Sequence, residues 1–144
     1  MSAQRLAYGA SVVGFALAAF TTATTLVANE PVVPRWVSFP LFAGIFPVHL
    51  LTALVYRGRL REIWLRNPGV LTVGFALLAA SAAVSLYQVH DGGPNRVGGA
   101  YLVGDRPVSR ARYESVSLAQ QRLFASVAAF FYLVGLTAHG RTRV

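Results

Sequence analysis

Residues 70–89 read VLTVGFALLAASAAVSLYQV, a run with no charged side chain. A bilayer core of ~30 Å is crossed by about 20 apolar residues in a helix, so this stretch is long enough to span by itself. Working outward from it, two more uncharged runs precede it, Leu6 to Ala28 and Trp36 to Tyr56. A fourth, Leu123 to Ala138, follows and extends backwards through Ser117, Leu118, Ala119, Gln120 and Gln121. The expected fold is therefore an all-α membrane protein, a four-helix transmembrane bundle forming one domain over 1–144. Its spans are placed at about 6–28, 36–56, 70–89 and 117–139, with a small extracytoplasmic loop at about 90–116. The first run is longer than the apolar region of a usual secretory leader, so it is read as a retained span.

Composition agrees. The 144 residues are 55% hydrophobic and 12% charged, against about 25% charged in soluble domains, and the mean hydropathy is +0.52. All 13 basic residues are arginine and the net charge is +8. In a soluble chain that balance would suggest nucleic acid. Between apolar runs it places arginine at helix ends, facing anionic lipid headgroups, and no nucleic-acid partner is expected. Arginine without lysine, with abundant Ala, Val and Gly, suggests a GC-rich bacterial genome. There is no cysteine, which removes thiol nucleophiles, disulfides, Cys-ligated metals and CxxC redox chemistry.

Orientation is read from arginine placement. One side collects Arg5, Arg57, Arg59, Arg61, Arg66, Arg141 and Arg143 with the single acid Glu62, all near helix ends. The other has Arg35, Arg96, Arg106, Arg110, Arg112 and Arg122 with four acids, mostly inside a longer loop. The positive-inside rule then puts both termini in the cytoplasm of a multi-pass protein of the cell (inner) membrane.

The connections have their own chemistry. Pro31 and Pro34 stop the first helix and preset an extended turn. Arg57 to Gly69 is a basic turn at headgroup level with Trp64 as interface anchor. Asn67 is suited to cap the third helix and Pro68 to its first position. In the long loop, Asp91–Asn95 reads as a turn, Gly98-Gly99 as turn glycines, Ala100–Val103 as a short strand and Gly104–Pro107 as a turn, giving a small hairpin. Ser109 is expected to cap a helix starting near Arg110 and running unbroken to Ala138, with Arg110 and Glu114 as an i,i+4 pair. Tyr113 is expected to pack beneath Tyr101–Val103.

Tyr101-Leu102-Val103, a Gly-containing turn, Val108-Ser109, Tyr113 and a final helix carrying Gln121-Arg122-Leu123-Phe124 resemble small multi-span bacterial membrane proteins of unknown function. The resemblance covers about 30 residues of the chain. It implies a tyrosine-bearing extracytoplasmic segment before the last span, and no activity.

Small residues recur at four-residue spacing: Ala10, Gly14 and Ala18 in the first span, Ala76 and Ala80 in the third, Ala125 and Ala129 in the fourth. Such rows let helix backbones approach closely in lipid, and one of them can serve a protein partner or a second copy. Pro40, Gly44 and Pro47 interrupt the second helix near Ala43, and His49 follows.

The intramembrane His49 is the candidate cofactor-binding residue. A bis-histidine haem is disfavoured by depth, because His90 lies at the opposite end from His139, and His139 at a helix end. No span carries an acid, so neither a carboxylate metal site nor an acidic proton relay is expected. Thr21, Thr22, Thr24 and Thr25 are expected to bond back to the preceding turn. No catalytic residue is assigned, and His90, Asp91, Asp105 and Glu114 lack a telling spacing. Candidate lipid or partner contacts are Arg57, Arg59, Arg61, Trp64, Arg106, Arg110, Arg112 and Tyr113. The leading expectation is a non-enzymatic accessory or interaction subunit. The alternative is a histidine-dependent redox or ligand-binding bundle that holds haem or quinone at His49.

Overall fold

The computed structural model describes residues 3–28, 32–56, 61–63 and 67–139. Helix α1 covers Ala3–Val27. A 3-10 turn at Arg35–Val37 leads into α2, Ser38–Ala43, and α3, Ile45–Tyr56. Helix α4 is Pro68–Gln88, and α5 is Arg110–His139. Four helical stretches are long and apolar enough to cross a membrane: Gln4–Val27, Arg35–Leu54, Pro68–Gln88 and Arg110–His139. They match the expected spans. The last is longer than expected for a span alone, at about 45 Å for a 1.5 Å rise per residue.

The four stretches do not form a square bundle. Helix α5 is the hub, with α1, α4 and the α2–α3 pair packed around it. Its buried positions run from Val116 to His139 and include residues on more than one side. Helix α4 is the least covered, and its main helix contact is with α5. One hydrogen bond ties α4 to α5, Ser126 Oγ donating to Ser81 Oγ at 2.9 Å, while Ser85 Oγ bonds back within α4 to the Ser81 carbonyl at 2.8 Å. An interhelical bond of this kind contributes roughly 0.6–2 kcal/mol in an apolar medium.

The close approach of α1 to α5 is made by small residues, with one correction. Ala10 is exposed; the buried row on α1 is Ala7, Ser11, Gly14 and Ala18, spaced four, three and four. A helix of 3.6 residues per turn keeps a face only by alternating those steps, so a strict four-residue row drifts off the interface. Gly14 admits the Tyr132 ring, and a Cβ there would overlap three of its carbons.

The second span breaks where its prolines and glycine predict. Gly44 separates α2 from α3 and donates its N–H to Pro40 O at 2.9 Å. Pro47 has no N–H to return to Ala43, so that bond is missing across the break. The last carbonyls of α2 are left without intrahelical donors. Tyr132 reaches across from α5 and donates its hydroxyl to Leu41 O at 2.8 Å. Tyr132, Leu41, Ile45, Val48, Ala18, Ala128 and Ala129 form the main core. At the opposite end Ile63 tucks against Leu71 and Ala138.

Residues 94–107 form a three-stranded antiparallel meander: β1 (Pro94–Val97), β2 (Ala100–Val103) and β3 (Arg106–Pro107). Val97 pairs with Ala100 and Pro94 with Val103, and Val103 pairs with Arg106. This corrects two expected turns, since Pro94-Asn95 and Arg106-Pro107 are strand. The two-residue turn Gly98-Gly99 has φ of 57° and 87°. Positive φ at both central positions is what a tight hairpin turn demands, and glycine adopts it without steric cost.

Candidate functional site

The meander sits on the first turns of α5, and tyrosine and arginine side chains make the junction. Ser109 caps α5 as expected: its Oγ accepts from Arg112 N at 3.3 Å and its carbonyl from Tyr113 N at 3.0 Å. Asn67, by contrast, precedes α4 without a side-chain cap bond, and only Pro68 plays its expected part. The cap at Ser109 fixes the helical phase of Tyr113. Its ring lies 5.0 Å from the Tyr101 ring on β2, tilted by 50°. Arg96 on β1 stacks over Tyr101 at 5.1 Å, and Arg35 stacks over Tyr113 at 5.3 Å. Arg35 Nη1 also donates to the Tyr113 hydroxyl at 3.1 Å. The order Arg96, Tyr101, Tyr113, Arg35 thus links the meander, α5 and the start of the second span. Each cation–π contact at an exposed site contributes about 0.5–1 kcal/mol, and the aromatic pair about the same.

A second set of bonds ties the first connection and the end of α1 to α5 just over two turns beyond Tyr113. Gln121 Nε2 donates to Val33 O at 2.8 Å, pinning the connection between the first two spans. Arg122 Nη2 donates to Thr25 O at 2.9 Å. Thr25 lies in the last turn of α1, where a cation complements both the orphan carbonyls and the helix dipole.

The predicted contact residues fall into distinct groups. Arg110 Nε pairs with Glu114 at 2.7 Å, and Arg112 lies 3.5 Å from Asp91. Asp91 also accepts from His90 Nε2 at 3.1 Å, while His90 Nδ1 contacts Tyr87 O. Arg106 and Arg61 are exposed, and Arg106 has no ion-pair partner among the described residues. Arg57, Arg59 and Trp64 lie outside the described residues, as do Arg66, Arg141 and Arg143.

His49 is half-buried in α3. Its Nδ1 faces Ile45 O at 3.3 Å and its ring meets the edge of Phe131 at 4.8 Å. His139, placed at a helix end by the sequence, is 3% exposed, and its Nε2 lies 3.0 Å from Thr52 Oγ1. Thr52 gives its own proton to Val48 O at 2.8 Å. Oγ1 is therefore the acceptor, and Nε2 donates. His139 thus meets α3 at Thr52, three residues beyond His49. Among the described residues no group of three or more His, Cys, Asp or Glu could hold a metal ion. The threonines of α1 bond back as expected, Thr21 to Leu17 O at 2.8 Å and Thr22 to Ala18 O at 2.9 Å.

Sequence reasoning missed Tyr132, the His139–Thr52 bond and the role of Gln121. Each is a contact between residues far apart in the chain. The usable signals were Gly14 and Gly44, glycines in spans where a neighbour must come close.

Comparison with protein-family models, with curated proteins and with solved structures finds no match.

Proposed function

We propose that this chain is a multi-pass protein of a bacterial inner membrane, with both termini cytoplasmic and the meander outside. It acts without chemistry of its own, as an accessory or interaction subunit. The observation that carries the reading is the Arg96–Tyr101–Tyr113–Arg35 stack. A loop that merely joined two spans would have no use for such a junction. Here the chain invests two aromatic residues and two arginines in holding a small sheet at one end of α5. The sheet presents exposed Arg106 to whatever approaches, with Arg110 and Arg112 beside it, and arginine suits the phosphates of anionic headgroups or an acidic partner surface.

Side chains at that end support the depth assignment. Trp36 is 71% exposed and Tyr87 76% exposed, beside long apolar helices. Exposed Trp and Tyr at helix ends mark the membrane–water boundary. Two measurements test the proposal. Alkaline carbonate should leave the chain in the membrane pellet. In mild detergent, native electrophoresis should show a species larger than the protomer, and Tyr113→Ala should abolish it while helical circular dichroism is retained. A wild-type chain that migrates as a lone protomer under every mild condition contradicts the subunit role.

A further inference from the structure

A cleft of about 260 Å³ opens between the start of the second span and α5. One wall carries, in chain order, Arg35, Ser38, Phe39 and Phe42; the other carries Ser117, Gln121 and Phe124. The Arg35–Tyr113 bond shows that both walls start at the meander end. Both therefore run in the same direction, from polar to aromatic, and they meet at the Phe42–Phe124 edge contact of 5.7 Å.

The polar part of this cleft is unfinished. Ser38 Oγ, Ser117 Oγ and Gln121 Oε1 are buried atoms with no hydrogen-bond partner among the described residues. Among the fully buried serines and threonines, Ser117 is the one whose hydroxyl has no partner among the described residues. The other buried hydroxyls, those of Ser11, Thr21, Thr22, Thr25, Thr52, Ser85 and Ser126, each donate to a partner. Gln121 is 4% exposed, and its amide orientation is fixed because Nε2 must face the Val33 carbonyl. Its Oε1 can then only accept. Buried polar atoms without partners are costly, so three of them on residues that line one cleft point to an absent ligand, seated by small side-chain rotations. Arg35 adds a positive charge that has no carboxylate partner among the described residues.

We infer that this cleft binds an anionic lipid whose headgroup carries hydroxyls, of the phosphoglycerol type. The phosphate meets Arg35, a headgroup hydroxyl donates to Gln121 Oε1, and Ser38 and Ser117 complete the polar cage. The acyl chain lies along Phe39, Phe42 and Phe124, toward the middle of the spans. The polar-to-aromatic order of both walls is the order of a lipid entering from the meander end. This rests on the membrane reading above and shares Arg35 with the Tyr113 junction, so Ser117→Ala, which leaves that junction intact, separates it from the subunit role.

The test uses the full chain in detergent and short-chain lipid probes, with binding read by microscale thermophoresis. Dioctanoyl-phosphatidylglycerol should bind at least about tenfold tighter than dioctanoyl-phosphatidylcholine. Ser117→Ala removes a hydroxyl that bonds nothing in the protein, so the variant folds. It should weaken phosphatidylglycerol about fivefold, the equivalent of one net hydrogen bond. Arg35→Gln should weaken it about tenfold, and should narrow its margin over phosphatidylcholine, whose phosphate is offset by its own choline cation. Dioctanoyl-phosphatidic acid, with charge but no glycerol headgroup, should bind more weakly, and free glycerol phosphate should not compete. Equal binding of the glycerol and choline lipids, or wild-type affinity in both variants, overturns the proposal. Equal binding of phosphatidic acid overturns the hydroxyl assignment. Any of these failures leaves the carbonate fractionation untouched and so is distinguishable from failure of the membrane reading.

Discussion

Gly14 of α1 lies so close to Tyr132 of α5 that a methyl group on it would overlap the tyrosine ring. The same tyrosine carries its hydroxyl past Gly44 to Leu41 O. One side chain thus joins three helices and satisfies a carbonyl at the Gly44 break in the second span.

Gly14→Ala should therefore lower stability by overpacking, by about 1–3 kcal/mol. Tyr132→Phe keeps the ring but leaves a buried carbonyl unpaired, at a cost of about 1–3 kcal/mol. Thermal unfolding in a single detergent checks both. Ala10→Val, on the exposed side of α1, should be nearly neutral and serves as the control.

The histidines should separate cleanly. Thr52→Ala removes the acceptor of His139 Nε2 and should destabilise the fold by about 1–3 kcal/mol. His49→Gln should cost less than that, because the half-buried ring makes one local backbone contact and one edge contact, with Phe131. A redox or ligand role for His49 would instead show as loss of a bound chromophore or quinone in that variant with the fold retained.

Topology is accessible because the chain has no cysteine. A single cysteine at Gly98, the tip of the β1–β2 turn, should be labelled by an impermeant maleimide in intact cells. Neutralising Arg57, Arg59, Arg61 and Arg66 together should raise the inverted fraction. Labelling only after lysis would place the meander in the cytoplasm.

What was legible in the sequence follows from how local each interaction is. The Ser109 cap, the Arg110–Glu114 pair and the threonine back-bonds connect residues three or four apart, so helical periodicity alone exposes them. The break at Gly44 is likewise written in Pro40, Gly44 and Pro47. Strand β1 was not legible: Pro94 and Asn95 disfavour strand, and they are held there by pairing with Val103 and Leu102. The two residues of β3 become strand only because β2 offers an edge. The candidate site divides the same way. Tyr113 against Tyr101 could be expected from spacing, but Arg35 belongs to another span and only folding brings it over the ring. Gln121 looks like one polar residue among several until Val33 fixes its amide.

A meander held by Tyr113 as a rigid platform at the end of α5 should resist protease, and should lose that resistance with the ring. Limited proteolysis of the full chain in detergent tests it most directly, followed by mass spectrometry of cuts within residues 91–109. Tyr113→Ala should accelerate cleavage there about tenfold, as expected for loss of an aromatic pair and its cation. The spans should stay intact. Equal cleavage rates in the wild type and the variant would show that residues 91–109 are a tether and that the platform does not exist.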